Sequence, residues 1–331
     1  MTFYKKCDII RNINDFIHFF GGYLLELLLY GALLLAQLGT SGKQFAMKKC
    51  GAAAPGPFNS VCINMMRSLI CLTVSVIIWL IADGSGTTLL GHILIIVSGV
   101  GTALSLFTWI LASRLVSLTL IECLSMIGTL LLPIILAPYL YDGDTVSIPQ
   151  WIGCLLVFAS VFMFMNKSDG KKKEGKLWQK ILIVSVFVVG ITLSTITKKY
   201  YTYTISQKGL GTVEYFTFIN FVTVLLVFLL LFAVYYLRER NQAAKTENER
   251  IELPYKKVWV YILIAAASLY LNELFTVYAS QLPSAIYYPL SKGLIVGCSF
   301  LLDVAVFKEK VTGRKLIGLI TVIIAIILVN F

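Results

Sequence analysis

The chain has 331 residues, 58% of them hydrophobic and only 14% charged, and its 28 basic and 17 acidic residues leave a formal net charge of +11. That apolar fraction exceeds what a soluble domain needs for a core, so most of the surface must face lipid. The positive charge does not point to nucleic acid, because Lys and Arg stand in short segments beside apolar runs, where they set membrane orientation.

Taken in chain order, residues 1–21 hold Lys5, Lys6, Asp8, Arg11 and Asp15, which is too polar for a cleavable signal peptide. They are read as a polar N-terminal segment. Runs of roughly 20 apolar residues, enough to cross ~30 Å of hydrocarbon as helix, follow at 22–42, 58–82, 88–112, 117–140 and 149–166. Five more lie at 178–198, 213–237, 258–280, 283–306 and 314–330. None alternates with period two, so helices rather than a barrel are expected. A basic linker, 167–177, separates the two sets, and a polar loop is expected at 238–257. Most Lys and Arg fall in the loops after the odd-numbered runs, which places those loops in the cytoplasm of a multi-pass protein of the cell membrane. The seven cysteines show no C-x-x-C pair and read as buried apolar residues. No metal and no cofactor are expected.

The chain also repeats itself. ASRLVS at 112–117 returns as ASQLPS at 279–284, and GDTVSIPQWIG at 143–153 aligns with KEKVTGRKLIG at 308–318. Upstream, TSGKQF at 40–45 matches TITKKY at 195–200, pairing Lys43 with Lys198, while Ile63-Asn64 matches Ile219-Asn220. The offset drifts only where loops differ in length. Residues 22–166 and 178–331 are therefore read as two five-helix repeats, and an odd number of spans turns the second over relative to the first. The expected fold is all-α, ten transmembrane helices as two inverted repeats around a central cavity, with the binding site near the midplane.

At this point the sequence resembles the drug/metabolite transporter superfamily, in its ten-helix EamA-type members. Asp144, Val146, Ser147 and Gly153, and again Glu309, Val311, Thr312 and Gly318, carry the resemblance, together with YASQLPSAIYYPL at 278–290. It implies a secondary transporter of small organic metabolites or drugs working by alternating access, coupled to a proton or ion. It also implies that spans 5 and 10 lie outside the cavity and serve packing or homodimer contacts. Independently of any family, Ser147 and Thr312 are placed to cap spans 5 and 10, and Gly153 and Gly318 allow close helix contact.

Ionisable residues within spans face a cavity or a partner. Glu122 and Lys292 each follow an ASxLxS turn and are read as a charge pair or as substrate handles. Arg67 and Asn64 share a face of span 2. Asn272 and Glu273 are adjacent, so one of them should face the cavity squarely, Glu273 as a proton acceptor. Tyr287 and Tyr288 are assigned to the cavity because Pro289 should open the helix there. With Tyr270 and Trp109 they would form an aromatic wall, although Trp109 also fits an interfacial belt. Lys43 and Lys198 read as snorkelling residues, and Glu26 and Asp303 as residues pairing near interfaces. Two other classes stay open: a non-transporting sensor or scaffold on the same fold, and a membrane enzyme. The chain has two histidines and no H-E-x-x-H or G-x-S-x-G, so it is read as no enzyme.

Overall fold

A computed structural model of the chain describes residues 2–54, 56–82, 86–115, 118–132, 136, 147–164, 177–206, 208–246, 255–282, 284–308 and 311–329. The described residues form helices α1 (Thr2–Ala53), α2 (Pro57–Ile81), α3 (Leu89–Leu115), α4 (Leu118–Met126) and α5 (Ile148–Phe164). They continue with α6 (Leu177–Tyr201), α7 (Val213–Thr246), α8 (Tyr255–Ala279), α9 (Ser284–Leu301) and α10 (Gly313–Val329). Helices α4, α6 and α9 each run on into a π-helical turn, at Ile127–Leu131, Thr202–Ser206 and Leu302–Val306.

Among the described residues, five segments are long and apolar enough to cross a membrane: Pro57–Ile81, Leu89–Ser113, Ile181–Ser206, Val213–Arg238 and Val258–Ala279. Large apolar side chains cover the outside, among them Leu226 and Leu230 of α7 and Ile320, Ile323 and Ile327 of α10. Lipid solvates such a coat and water does not.

Helix ends differ from the sequence expectation. The first helix is continuous from Thr2 to Ala53, taking in the polar segment expected at 1–21 and extending past residue 42. Backbone hydrogen bonding does not stop where hydrophobicity does, and it ends here at the Pro55-Gly56-Pro57 cluster. Gly56 has a φ of 116°, a value that suits glycine, and Pro57 opens α2, where its missing N–H costs nothing. Helix α7 likewise runs to Thr246, into the stretch expected as a loop. Helix α9 passes through Pro289 unbroken. That proline is the sixth residue of the helix, near the end where few intrahelical N–H bonds are lost.

The main packing partners are α1 with α8, α3 with α6, α2 with α7 and α5 with α10; α3 with α7 and α2 with α8 follow. Small residues set the closest approaches. A β-carbon on Gly101 would stand 2.6 Å from Gly190 O, and one on Gly190 would stand 2.8 Å from Gly101 O. One on Gly39 would meet Ser268 O at 2.7 Å. Gly153 and Gly318 are buried on the α5 and α10 pair. Thr312 caps α10 through its hydroxyl, which accepts from Lys315 N at 3.4 Å.

The serines of the two copies of the phrase make the same bond. Ser113 Oγ donates to Ile110 O at 2.9 Å, and Ser280 Oγ donates to Val277 O at 2.7 Å. In each copy the serine folds its hydroxyl back onto the last turn of its helix.

Candidate functional site

Between α1, α2, α3, α6, α8 and α9 lies a cavity of about 1070 Å³, its open mouth included. Helices from both halves of the chain wall it, and no described residue of α5 or α10 lines it. Its surroundings are unusual for the interior of a lipid-facing bundle. Five cationic side chains, Lys43, Arg67, Lys198, Lys199 and Lys292, line it with one carboxylate, Glu273, among the described residues. Each ionised group in a membrane span costs about 2.5–3.5 kcal/mol on insertion scales, so five cations mark a built polar site.

The partners of these groups follow from helix packing. Lys198 of α6 forms an ion pair with Glu273 Oε2 of α8. Next to it, Lys199 donates to the carbonyls of Ser280 at 2.6 Å and Leu282 at 3.1 Å, within the second copy of the repeated phrase. Thr202 and Ser280 hydroxyls meet at 3.0 Å and tie the same turn to α6. Arg67 is 1% exposed, and its Nη2 donates to Asn64 Oδ1 at 2.5 Å, while its buried Nε has no hydrogen-bond partner. Asn64 in turn donates to Ser60 O at 3.0 Å and Leu106 O at 3.4 Å. It therefore stands behind Arg67 and aims the guanidinium without lining the cavity itself.

Arg67, Lys292, Glu273, Asn272 and Tyr287, all expected from sequence, lie together on the wall. Asn272 and Glu273 share it even though they are neighbours. Nδ2 of Asn272 is within 2.7 Å of Thr40 Oγ1 and 3.1 Å of Ala36 O, so it also fastens α8 to α1. The side chains of Glu122, Tyr288 and Glu26 lie outside the described residues. Tyr270 packs against Phe221, ring centroids 6.2 Å apart, and does not line the cavity. Trp109 is buried on the wall and not in an interfacial belt. Lys43 and Lys198 line the cavity instead of snorkelling to an interface. Asp303 pairs with Lys48 at 3.2 Å, joining α1 to the turn after α9.

The sequence reading missed Lys199, Gln37 and Ser291. Gln37 Nε2 donates to Ser291 Oγ at 2.9 Å, linking α1 to α9, while Gln37 Oε1 is buried without a hydrogen-bond partner. One signal was present: Lys43 and Lys198 occupy matching positions in the two repeats.

Asn64 and its repeat mate Asn220 offer a direct test of this geometry. Both are fully buried, but neither side-chain atom of Asn220 has a hydrogen-bond partner among the described residues. Asn64→Ala strands the guanidinium of Arg67 and should lower stability by about 1–3 kcal/mol. Asn220→Ala removes no such bond and should cost less. Equal shifts in the thermal midpoint of detergent-solubilised protein would contradict the role given to Asn64.

An apolar-coated helical bundle with a charged internal cavity defines an integral, multi-pass membrane protein with a site of solute size. Residues 200–331 match the EamA-like transporter family, which bears out the resemblance read from the sequence. A solved structure described only as the crystal structure of a protein is similar in fold, with a TM-score of 0.59 at 12% identity, over 90% of this chain and 96% of that one. No curated protein matches.

Proposed function

We propose that the protein is a secondary transporter that moves a small organic solute across its membrane by alternating access, with the cavity as the binding site. The carrying observation is that cavity itself, charged in a lipid-facing bundle and walled by helices of both repeats. Ten spans arranged as inverted repeats, 22–166 and 178–331, belong to this reading. The packing supports it. Exchanging α1 to α5 for α6 to α10 turns the contact of α1 with α8 into that of α6 with α3. It turns α3 with α7 into α8 with α2, and returns α2 with α7 and α5 with α10 to themselves. A rotation of one repeat against the other, about the self-paired helices, would open the cavity alternately to each side.

In the proposed roles, Arg67 and Lys292 hold the solute, Asn64 positions Arg67, Asn272 and Tyr287 shape the wall, and Glu273 couples charge movement to transport. Glu122 and Tyr288 are assigned to the same site by their places on α4 and α9. A coupling ion and a dimer formed through α5 and α10 complete the reading. Full-length protein reconstituted in liposomes should exchange at least one labelled solute from a panel of amino acids, amines, nucleosides and sugar phosphates. Lys292→Met should reduce that exchange at least tenfold with membrane abundance near wild type. Absence of flux for the whole panel would favour the sensor or scaffold.

A further inference from the structure

Building on that transport reading, we propose that Lys199 and Thr202 of α6, gripping the turn at 280–282, form a latch that closes one end of the cavity, and that this end opens when the grip lets go. The geometry of the closed end carries this. The described lining of α6 runs to Lys199 and that of α8 to Ser280, and these two residues are bonded to each other. Just beyond them Tyr201, Thr202 and Leu282 are no more than 2% exposed, so the wall closes there.

The bonds of this seal are of a kind that parts cheaply. Lys199 sets its ammonium on the carbonyls of Ser280 and Leu282, just past the last residue of α8, where the negative end of the helix dipole favours a cation. Water serves the same groups once they separate, so little is lost on breaking them. The hydroxyl pair has its own fallback. Thr202 Oγ1 lies 3.0 Å from Ser280 Oγ and 3.0 Å from Lys198 O, while Ser280 Oγ lies 2.7 Å from Val277 O. When the link breaks, Thr202 donates to Lys198 O and Ser280 to Val277 O. Each hydroxyl is then satisfied on its own helix, and no donor is stranded.

The opposite end is closed differently. In the alignment of the two halves, Lys199 corresponds to Gln44 and Thr202 to Met47. Met47 has no hydroxyl to lend, and it shares an apolar cluster with Trp109, Ile110, Ala112 and Phe187. Phe187 precedes Lys199 on α6 by twelve residues, roughly 18 Å of helix, so the cluster marks the far end of the cavity. Parting it exposes apolar surface to water, whereas the latch exchanges one set of hydrogen bonds for another. Helix α6 also leaves α-geometry at the latch: its π-turn begins at Thr202, while α1 stays α-helical through the aligned positions 47–51. Such turns recur at functional sites, and this one gives the end of α6 a place to shift register without unfolding.

The test reads which membrane face reaches the cavity, with full-length protein in membranes. Thr195→Cys, at a half-buried position on the cavity wall, is the reporter, and Lys208→Cys, at an exposed position in the loop after α6, identifies the latch face. Both are labelled with a membrane-impermeant methanethiosulfonate sulfonate on intact cells and on inverted vesicles, each cysteine being read separately by peptide mass spectrometry. Lys199→Gln combined with Thr202→Met should speed reporter labelling from the latch face roughly threefold or more, and not from the opposite face, because the rate follows the open population. Thr202→Cys combined with Ser280→Cys places two thiols where the hydroxyls now stand 3.0 Å apart. Oxidation should join them and slow reporter labelling from the latch face roughly tenfold, with recovery in dithiothreitol. An unchanged rate in the first variant, a locked protein labelled as fast as the reduced one, or a disulfide that does not form overturns the latch. Should the first variant not reach the membrane, the disulfide arm decides alone. Gated labelling without exchange of any solute in the liposome panel would uphold the latch and overturn transport. Exchange that survives the locked disulfide would do the reverse.

Discussion

Glu273→Leu is expected to destabilise the folded protein by about 3 kcal/mol or more, and Lys198→Met by a similar amount, while the double variant recovers most of the loss. The two side chains are paired, with 9% and 7% of their surfaces exposed. Removing one member of such a pair leaves the other charge buried without its counterion, a cost of about 3–5 kcal/mol, whereas replacing both with apolar groups is often close to neutral. Leucine is a meaningful choice because the first repeat already has Leu106 at the matching position. Thermal midpoints in detergent for wild type, both singles and the double close a double-mutant cycle. A double variant that loses the sum of the two singles would show that the residues act separately. Transport should not return with stability, because the double variant lacks the carboxylate assigned to coupling. Recovery of full flux would remove Glu273 from that role while leaving the ion pair intact.

Sequence and structure agree where the physics is local. Continuous apolar runs predict helices because lipid permits little else, and Ser113 and Ser280 make the same bond because the Ala-Ser shared by the two similar phrases stands near a helix C-terminus in each. Helix ends were less legible: α1 and α7 run beyond their apolar segments because polar residues continue a helix as readily as apolar ones, and α1 stops only at the Pro55-Gly56-Pro57 cluster. Pro289 misled for a related reason, since its effect depends on distance from the helix start, and at the sixth residue of a helix that begins at Ser284 it is too near the N-terminus to break it. The site divided along the same line. Arg67 and Glu273 stood out because a charge inside a span needs an explanation. Lys43 and Lys198 read as interfacial, and Trp109 as either wall or belt, because they lie near the ends of apolar runs, and only packing shows which way they face. Lys199 could not be recognised at all, because its acceptors are backbone carbonyls 81 and 83 residues away.

Gly101→Ala and Gly190→Ala should each be more damaging than an added methyl group normally is. Overpacking a core costs about 1–3 kcal/mol when side chains can move aside. Here the first obstacle is backbone. The new β-carbon of Gly101→Ala would lie 2.6 Å from Gly190 O and 2.9 Å from Ser194 N, and that of Gly190→Ala 2.8 Å from Gly101 O and 2.9 Å from Ser105 N. Relief requires α3 and α6 to separate along their crossing, which also breaks the 2.8 Å contact between the Thr102 and Ser194 hydroxyls. These helices carry Ser105, Trp109, Lys198 and Lys199 on the cavity wall, so the same displacement should widen the site and weaken solute binding. The control is Gly297→Ala, since a β-carbon there meets nothing within 4 Å and alanine raises helix propensity. Measured as the yield of monodisperse protein and its thermal midpoint, the order should be Gly297→Ala at or above wild type, with Gly101→Ala and Gly190→Ala well below it. Wild-type midpoints for the two crossing variants would mean that α3 and α6 approach less closely than these distances require. The cavity wall built on that crossing would then have to be redrawn.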